Sequence, residues 1–297
     1  MDIESARLWL AETRDGTLPA AKAALLAGSG DIGAAMLALI DLASEWARPG
    51  ISGFRVGAVG QGVSGTLYFG ANLEFEGAAL GQTVHAEQAV VANASAHGET
   101  GLVRLAVSAP PCGHCRQFLY ELESADRLEI LLSGKAPARI ADFLPGAFGP
   151  ADLGVAGGML QRSAPALAPV AEGGALAAAA AAAAAASYAP YSKAWGGAAI
   201  QVSDGRIFAG QYLENAAFNP SLPPLQSAFV LAVLGGCGPS DIAAVAIAQP
   251  EDSKVDHCRA GRALLAGIAP GAGVECVSLR EIRRPPPFRH PGEGRDP

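Results

Sequence analysis

Thr83-Val84-His85-Ala86-Glu87-Gln88-Ala89-Val90-Val91 and Ala109-Pro110-Pro111-Cys112-Gly113-His114-Cys115-Arg116 are the two stretches on which the reading of this chain turns. From Thr83 to Ala96 there is no Gly or Pro and a run of helix formers, so a helix is expected with His85 and Glu87 in its first turn. Pro110 and Pro111 favour a second helix start, with Cys112 and Cys115 opening a helix that runs on through Arg116, Phe118, Leu119 and Leu122. Between them Leu102-Val103-Arg104-Leu105-Ala106-Val107 reads as a buried strand. Helix, strand, helix in that order places two parallel helices side by side on one sheet face, both N-termini toward the same point.

Three of these side chains are zinc ligands by type. A catalytic zinc keeps one position open for water, so three protein ligands are expected: the His85 imidazole and the Cys112 and Cys115 thiolates. Glu87 is left over, beside the metal, and its better use is to carry protons. The helix N-termini help keep the thiols ionised. A Cys-x-x-Cys alone could be a structural knuckle or a redox pair. A closed structural site, however, needs a fourth ligand at knuckle spacing, and His114 lies inside the Cys pair where it cannot easily reach the same ion. A redox pair would leave His85 and Glu87 unexplained. His-x-Glu followed by Pro-Cys-x-x-Cys is the general signature of zinc deaminases. His97, His257 and His290 have no such companions and are expected on the surface or in hydrogen-bonded structural roles.

Beyond the metal cluster, Phe54-Arg55-Val56-Gly57-Ala58, Gly70-Ala71-Asn72-Leu73-Glu74-Phe75, Phe148-Gly149-Pro150 and Tyr188-Ala189-Pro190-Tyr191-Ser192-Lys193 make the chain resemble the cytidine deaminases, and among them the large two-domain homodimeric subclass. The resemblance covers about 54–150 and 187–248. It implies hydrolytic deamination of cytidine and deoxycytidine to uridine and deoxyuridine, with release of ammonia, in pyrimidine salvage. It also implies one Zn2+ per chain and a homodimer with a shared active site. Asn72 and Glu74 are carried over as contacts to the ribose 3′-hydroxyl; by spacing alone they are a polar pair at i and i+2, pointing to one face, or an exposed strand end. Phe54 is carried over as the aromatic wall against the pyrimidine, although the sequence alone gives only a core Phe. The Ala86 N–H would meet the base carbonyl, and Pro110 would offer its carbonyl to the leaving ammonia but no N–H. Phe148 would reach the partner subunit's site, the plainer alternative being a Phe that covers the domain junction.

Composition agrees. The chain has 297 residues, half of them hydrophobic, and a net charge of −7, long enough for about two domains. Polynucleotide-directed deaminases need basic grooves with interleaved aromatics, and only the extreme C-terminal stretch is locally basic. A nucleotide-directed cytosine deaminase is the alternative within reach, with Arg55 or Arg116 as phosphate contacts. Five cysteines are too few for a disulfide framework, so a reducing cytoplasm is expected. Met1 to Arg7 lack the features of a signal peptide. The alanine run from Ala175 to Ala186 is too short and too weakly hydrophobic to span a bilayer, so no membrane partner is expected.

The order of elements repeats. A helix from about Ile32 to Trp46, a hairpin from Arg55 to Phe75, the His85 helix, a strand, the Cys112 helix and a strand from Arg127 to Leu132 are followed by a second set. That set is the alanine helix, a hairpin from Gly197 to Tyr212 turning at Ser203-Asp204-Gly205, a helix from about Leu225 to Leu234, a strand from Ile242 to Ala248, a helix near Cys258 and a strand from Val274 to Leu279. Gly70-Ala71-Asn72-Leu73-Glu74 aligns with Gly210-Gln211-Tyr212-Leu213-Glu214, and His114-Cys115-Arg116 with His257-Cys258-Arg259. Pro224 to Ser227 stand where His85 and Glu87 stand in the first copy, and Val255 stands for Cys112. The second copy should therefore hold no zinc, with Cys258 a small buried residue. The expected fold is α/β, two three-layer α/β/α units with mixed sheets, the second catalytically degenerate. Its expected divisions are an N-terminal helical segment (1–47), the catalytic unit (48–150), a connector (151–174), the degenerate unit (175–282) and a flexible tail (283–297).

Overall fold

The computed structural model describes residues 2–161 and 166–282; the expected tail, with His290, lies outside them. The first half runs α1 (Ile3–Thr13), β1 (Thr17–Leu18), α2 (Ala20–Ala27), α3 (Ile32–Ala38), α4 (Ile40–Ser44), β2 (Gly57–Gly62), β3 (Leu67–Ala71), α5 (Ala86–Ala96), β4 (Leu102–Val107), α6 (Gly113–Tyr120), β5 (Glu129–Leu131), β6 (Ala138–Arg139) and α7 (Ile140–Phe143). The second half runs β7 (Leu167–Pro169), α8 (Ala175–Ala185), β8 (Gly197–Val202), β9 (Ile207–Gln211), α9 (Pro224–Leu234), β10 (Ile242–Pro250), α10 (His257–Ile268) and β11 (Gly273–Glu281).

The four central strands of each half repeat one topology. One sheet is ordered β1-β3-β2-β4-β5-β6 and the other β7-β11-β10-β8-β9. In each, an antiparallel hairpin (β2/β3, β8/β9) leads to an antiparallel neighbour (β4, β10) that then pairs parallel with a last strand (β5, β11). The parallel step requires a helical crossover, and that crossover is α6 in one copy and α10 in the other. The first half adds β1 at its hairpin edge, which pairs with β3.

Three local features differ from expectation. The helix expected from Ile32 to Trp46 is two, meeting at buried Leu39, whose N–H is shared at 3.1 Å between the carbonyls of Ala35 and Met36. The stretch read as connector supplies β7, which pairs antiparallel with β11. Cys258 is buried as expected, but it is not alone: its side chain meets that of Cys276 of β11, their Cα atoms 6.1 Å apart. The crossover from α10 into β11 brings these distant positions together, which no spacing rule could indicate.

Helix α5 buries nine of its eleven residues, Glu87, Gln88 and Asn93 among them, as a helix wrapped by other elements must. The sheet covers one side and α9 of the other half another. Gly70 decides how close that helix can come: a Cβ there would lie 2.5 Å from the Val90 nitrogen and 2.6 Å from the Ala86 carbonyl. Gly210 does the same for α9, where a Cβ would lie 2.0 Å from the Ala228 nitrogen. The two glycines set the N-termini of α5 and α9 against their strands. A continuous apolar core crosses from one half to the other, with Phe75 and Phe229 edge to face at 5.4 Å.

Candidate active site

His85 is the N-cap residue of α5 and Cys112 that of α6, so both stand where the main chain turns into a helix, with Cys115 one turn into the second. Because β4 joins the two helices on one sheet face, these ends converge. The His85 Nδ1 lies 3.5 Å from the Cys112 Sγ and 3.3 Å from the Cys115 Sγ, and all three donor atoms fall within 4.8 Å of one another. Tetrahedral zinc with ordinary Zn–N and Zn–S bonds holds such atoms roughly 3.6 Å apart, so the donor set fits zinc in both chemistry and spacing. Among the described residues this is the one group of its kind. His114 points elsewhere, its Nε2 3.2 Å from the Gln88 amide nitrogen.

The electrostatics of the metal-free cluster favour one thiolate, on Cys112. The hydrogen bond between the two thiols holds Cys112 far below the ordinary thiol range, at about 4, and pushes Cys115 above it, burial adding to the latter. Glu87, one residue into α5, is buried and outside the donor set. Burial pushes its carboxyl up, against the pull of its own backbone N–H and of His85, which is the direction a proton carrier needs.

Beside the donors opens a cavity of about 290 Å3 lined by Phe54, Asn72, Glu74, His85, Ala86, Glu87, Pro110 and Cys112. Eight of the ten residues singled out in the sequence thus meet at one place, and Cys115 joins them through the donor cluster. Phe148 does not line the cavity. Its carbonyl accepts a hydrogen bond from the Gln117 amide at 2.7 Å and its ring stays exposed. Phe54, a core residue by sequence alone, is 62% exposed at the cavity wall.

Asn72 and Glu74 do lie on one side, 3.4 Å apart, just past the end of β3. Asn72 accepts from the Val56 N–H at 2.9 Å and donates to the Phe54 carbonyl at 3.0 Å. Glu74 accepts from the Ile51 and Ser52 N–H groups at 2.8 Å each and from the Ser52 hydroxyl at 2.6 Å. The two side chains therefore hold the loop that carries Phe54. Ser52, whose Oγ also accepts from the Phe54 N–H, is a residue the sequence reasoning missed. Its signal was in the repeat: Glu214 accepts from the Tyr191 and Ser192 N–H groups, and the Ser192 Oγ accepts from the Ala194 N–H.

That correspondence fixes what became of the second copy. With Gly70 matched to Gly210, the N-cap position of His85 is held by Pro223 and the position of Glu87 by Leu225, so the His85 counterpart lies one residue before the expected span of Pro224 to Ser227. Tyr212, in the place of Asn72, packs against His257 with ring centroids 4.5 Å apart, and the His257 Nε2 lies 2.8 Å from the Ala194 carbonyl. Aromatic rings and a buried imidazole occupy the ground that is open beside Glu87 in the first copy.

Two guanidinium groups that could have served a phosphate are otherwise engaged. Arg55 donates to the Ser44 carbonyl at 3.1 Å. Arg116 donates to the carbonyls of Pro111 at 2.7 Å and Phe143 at 3.0 Å. Among the described residues no single helix is long and apolar enough to cross a membrane.

The family model for the cytidine and deoxycytidylate deaminase zinc-binding region matches residues 32–130, and a second model of the same description matches residues 140–262. The chain is similar to the cytidine deaminase of Cronobacter sakazakii, 48% identical over 249 residues that make up 84% of either chain. It is also similar to those of Pectobacterium atrosepticum, 44% identical over 80% of either chain, and Vibrio vulnificus, 42% identical over 82% of either chain. With family models matching both halves and relatives above 40% identity over at least four fifths of either chain, the chain belongs to the cytidine deaminase family.

Proposed function

We propose that the protein is a zinc-dependent hydrolase that converts cytidine and deoxycytidine to uridine and deoxyuridine, releasing ammonia in pyrimidine salvage. The observation that carries this is the meeting of His85, Cys112 and Cys115 with buried Glu87 at one end of a cavity whose wall holds Phe54, Asn72 and Glu74. Zinc held by His85, Cys112 and Cys115 supplies the Lewis acidity that makes water nucleophilic near neutral pH.

Glu87 takes a proton as water adds to C4 of the base and passes it to N3. It then takes the proton of the hydroxyl now on C4 and carries it to the amino group, so that the C4 carbonyl forms as the C4–N bond breaks and ammonia leaves, and the carboxylate ends as it began. The Ala86 N–H meets the base carbonyl, and the Pro110 carbonyl accepts from the leaving ammonia. Phe54 walls the pyrimidine. Asn72 and Glu74 receive the ribose 3′-hydroxyl with acceptor capacity left over from the loop bonds, since a carboxylate takes more than one donor per oxygen. A nucleoside brings no phosphate, in keeping with the engagement of Arg55 and Arg116 by main-chain carbonyls.

The division into a catalytic unit over 48–150 and a degenerate unit over 175–282 belongs to the same reading, as do a homodimer in which Phe148 completes the partner subunit's site and a cytoplasmic location. The test is an ultraviolet assay of cytidine loss on purified protein whose zinc is measured, with cytidine monophosphate and single-stranded DNA as competing substrates. About one zinc per chain and turnover of the free nucleosides are expected. Zinc-loaded protein that leaves cytidine intact, or that prefers either phosphorylated substrate, would overturn the reading.

A further inference from the structure

Gln88 follows Glu87 on α5, is 2% exposed, and takes no part in the chemistry set out above. Both ends of its side-chain amide are nevertheless engaged. The Oε1 accepts from the main-chain N–H of the ligand His85 at 3.2 Å. The Nε2 donates to the carbonyl of Pro220 at 3.1 Å and lies 3.2 Å from the Nε2 of His114, the residue between the two cysteines. One amide thus touches the start of α5, the start of α6 and the other half of the molecule.

The loop it reaches braces both ligand-bearing helices. The Asn215 amide donates to the Gln117 carbonyl of α6 at 2.9 Å, and the Ala216 N–H donates to Glu121 at the end of α6 at 2.8 Å. The segment from Asn215 to Pro220 therefore contacts α5 through Gln88 and α6 through Gln117 and Glu121, at the junction where the helix ends must be held at metal-ligand spacing.

The contact is one half of an exchange between the repeats. Gln226 occupies in α9 the place of Gln88 in α5, and its amide bonds the Gln82 side chain. The paired bridges of Leu73 with Val84 and of Leu213 with Leu222 make Gln82 the counterpart of Pro220. Each copy sends the same glutamine to the same loop of the other, but only the Gln88 contact adjoins a ligand.

We propose that Gln88 is a positioning residue for the metal site, through which the degenerate half sets the spacing between His85 on α5 and Cys112 and Cys115 on α6. This rests on the zinc deaminase reading. Outer-shell partners of metal ligands are commonly worth ten- to a hundredfold in affinity or activity.

The test compares Gln88→Ala, Gln88→Asn and Gln226→Ala as full chains. Asparagine is one methylene short of spanning from the His85 N–H to the Pro220 carbonyl and suits the first turn of a helix, so it keeps the test open if alanine there prevents folding. Zinc release into a chromophoric chelator is measured, along with the thiolate-to-metal charge-transfer bands of the cobalt-substituted proteins. Both Gln88 variants should release zinc about ten- to a hundredfold faster, with shifted cobalt bands and a lower kcat at little-changed KM. Gln226→Ala, which removes the mirror contact of the same interface, should match the parent in all three. Equal acceleration in Gln226→Ala, or unchanged release and cobalt bands in folded Gln88→Asn, would overturn the proposal. A parent protein that binds no zinc would instead overturn the reading beneath it.

Discussion

The hydroxyl of Tyr188 donates a 2.8 Å hydrogen bond to the fully buried carboxylate of Glu121, a residue 67 positions away in the other half of the molecule. Tyr191 donates to the same oxygen and the Ala216 N–H to the other. Tyr188 occupies in the second copy the place that Arg48 occupies in the first, each forming the bridge to its own strand end. The degenerate copy has thus put tyrosines where they grip the end of α6, a helix that carries two metal ligands. Glu121→Ala strands three donors away from water and should destabilise the protein by about 2–4 kcal/mol. Glu121→Gln, which keeps an acceptor, should cost less. Urea unfolding measures both, and a change under about 0.5 kcal/mol for alanine would show that the two halves are not locked here.

Glu87→Gln should keep zinc and lose deamination by about 10²–10⁴-fold, the range of a positioned general acid and base. The amide preserves shape and removes the proton-carrying function, and Glu87 lies outside the donor set. Near-normal turnover in a zinc-loaded variant would refute the assignment. Cys112→Ala, by contrast, should lose metal and activity together.

Phe148 is 44% exposed, with its carbonyl pinned to Gln117, so its ring is accessible for the contact with a partner subunit proposed above. Phe148→Ala should leave the protein folded and zinc-bound and raise KM for cytidine about ten- to a hundredfold, matching ~1.5–3 kcal/mol for burying a large apolar side chain. Mixing Phe148→Ala with Glu87→Gln subunits should restore some activity, because half the sites in a heterodimer then hold both residues. Full activity in a stable monomer would rule the shared site out.

His97 and Asp15 pair the end of α5 with the β1 arm at 3.5 Å. Burial pushes Asp15 up, but hydrogen bonds from His97, Thr17 and Thr13 hold it down, at about 2. His97 is raised, by its bond to Asp15 against burial. The carboxylate's contribution is present above its unfolded pKa of about 3.9 and is lost as pH falls through about 2. That of the imidazolium is present below about 6.5 and is lost as pH rises through the raised folded value. The pair therefore stabilises most between about pH 4 and 6.5. The Tm gap between the parent protein and Asp15→Asn should be widest near pH 5 and narrow above pH 7. It should not vanish there, since Asp15 also accepts from the Thr17 N–H at 2.9 Å. A gap that grows with pH would contradict the pairing.

What could be read from the sequence was set within single elements. Helix α5 follows from the uninterrupted run after His85, β4 from its apolar letters and α6 from the prolines ahead of Cys112, and each formed close to its expected bounds. Short edge strands such as β6 and β7 carry only two or three residues, too few for a period to show. Ser52 was legible only through its counterpart Ser192.

The candidate donors and the carboxylate beside them were legible in the sequence alone, because a cap residue, an i+3 partner and an i+2 carboxylate keep their relation in any helix that forms. The tertiary structure decided what surrounds them. Pairs such as Gln88 with Pro220, 132 positions apart, Glu121 with Tyr188 and Cys258 with Cys276 exist only once two sheets have docked or a crossover has turned back. Directional bonds between distant segments depend on that docking rather than on any local preference. The replacement of the donors in the second copy was written in the letters, whereas the hydrogen bonds by which that copy holds the ends of α5 and α6 appeared only in three dimensions.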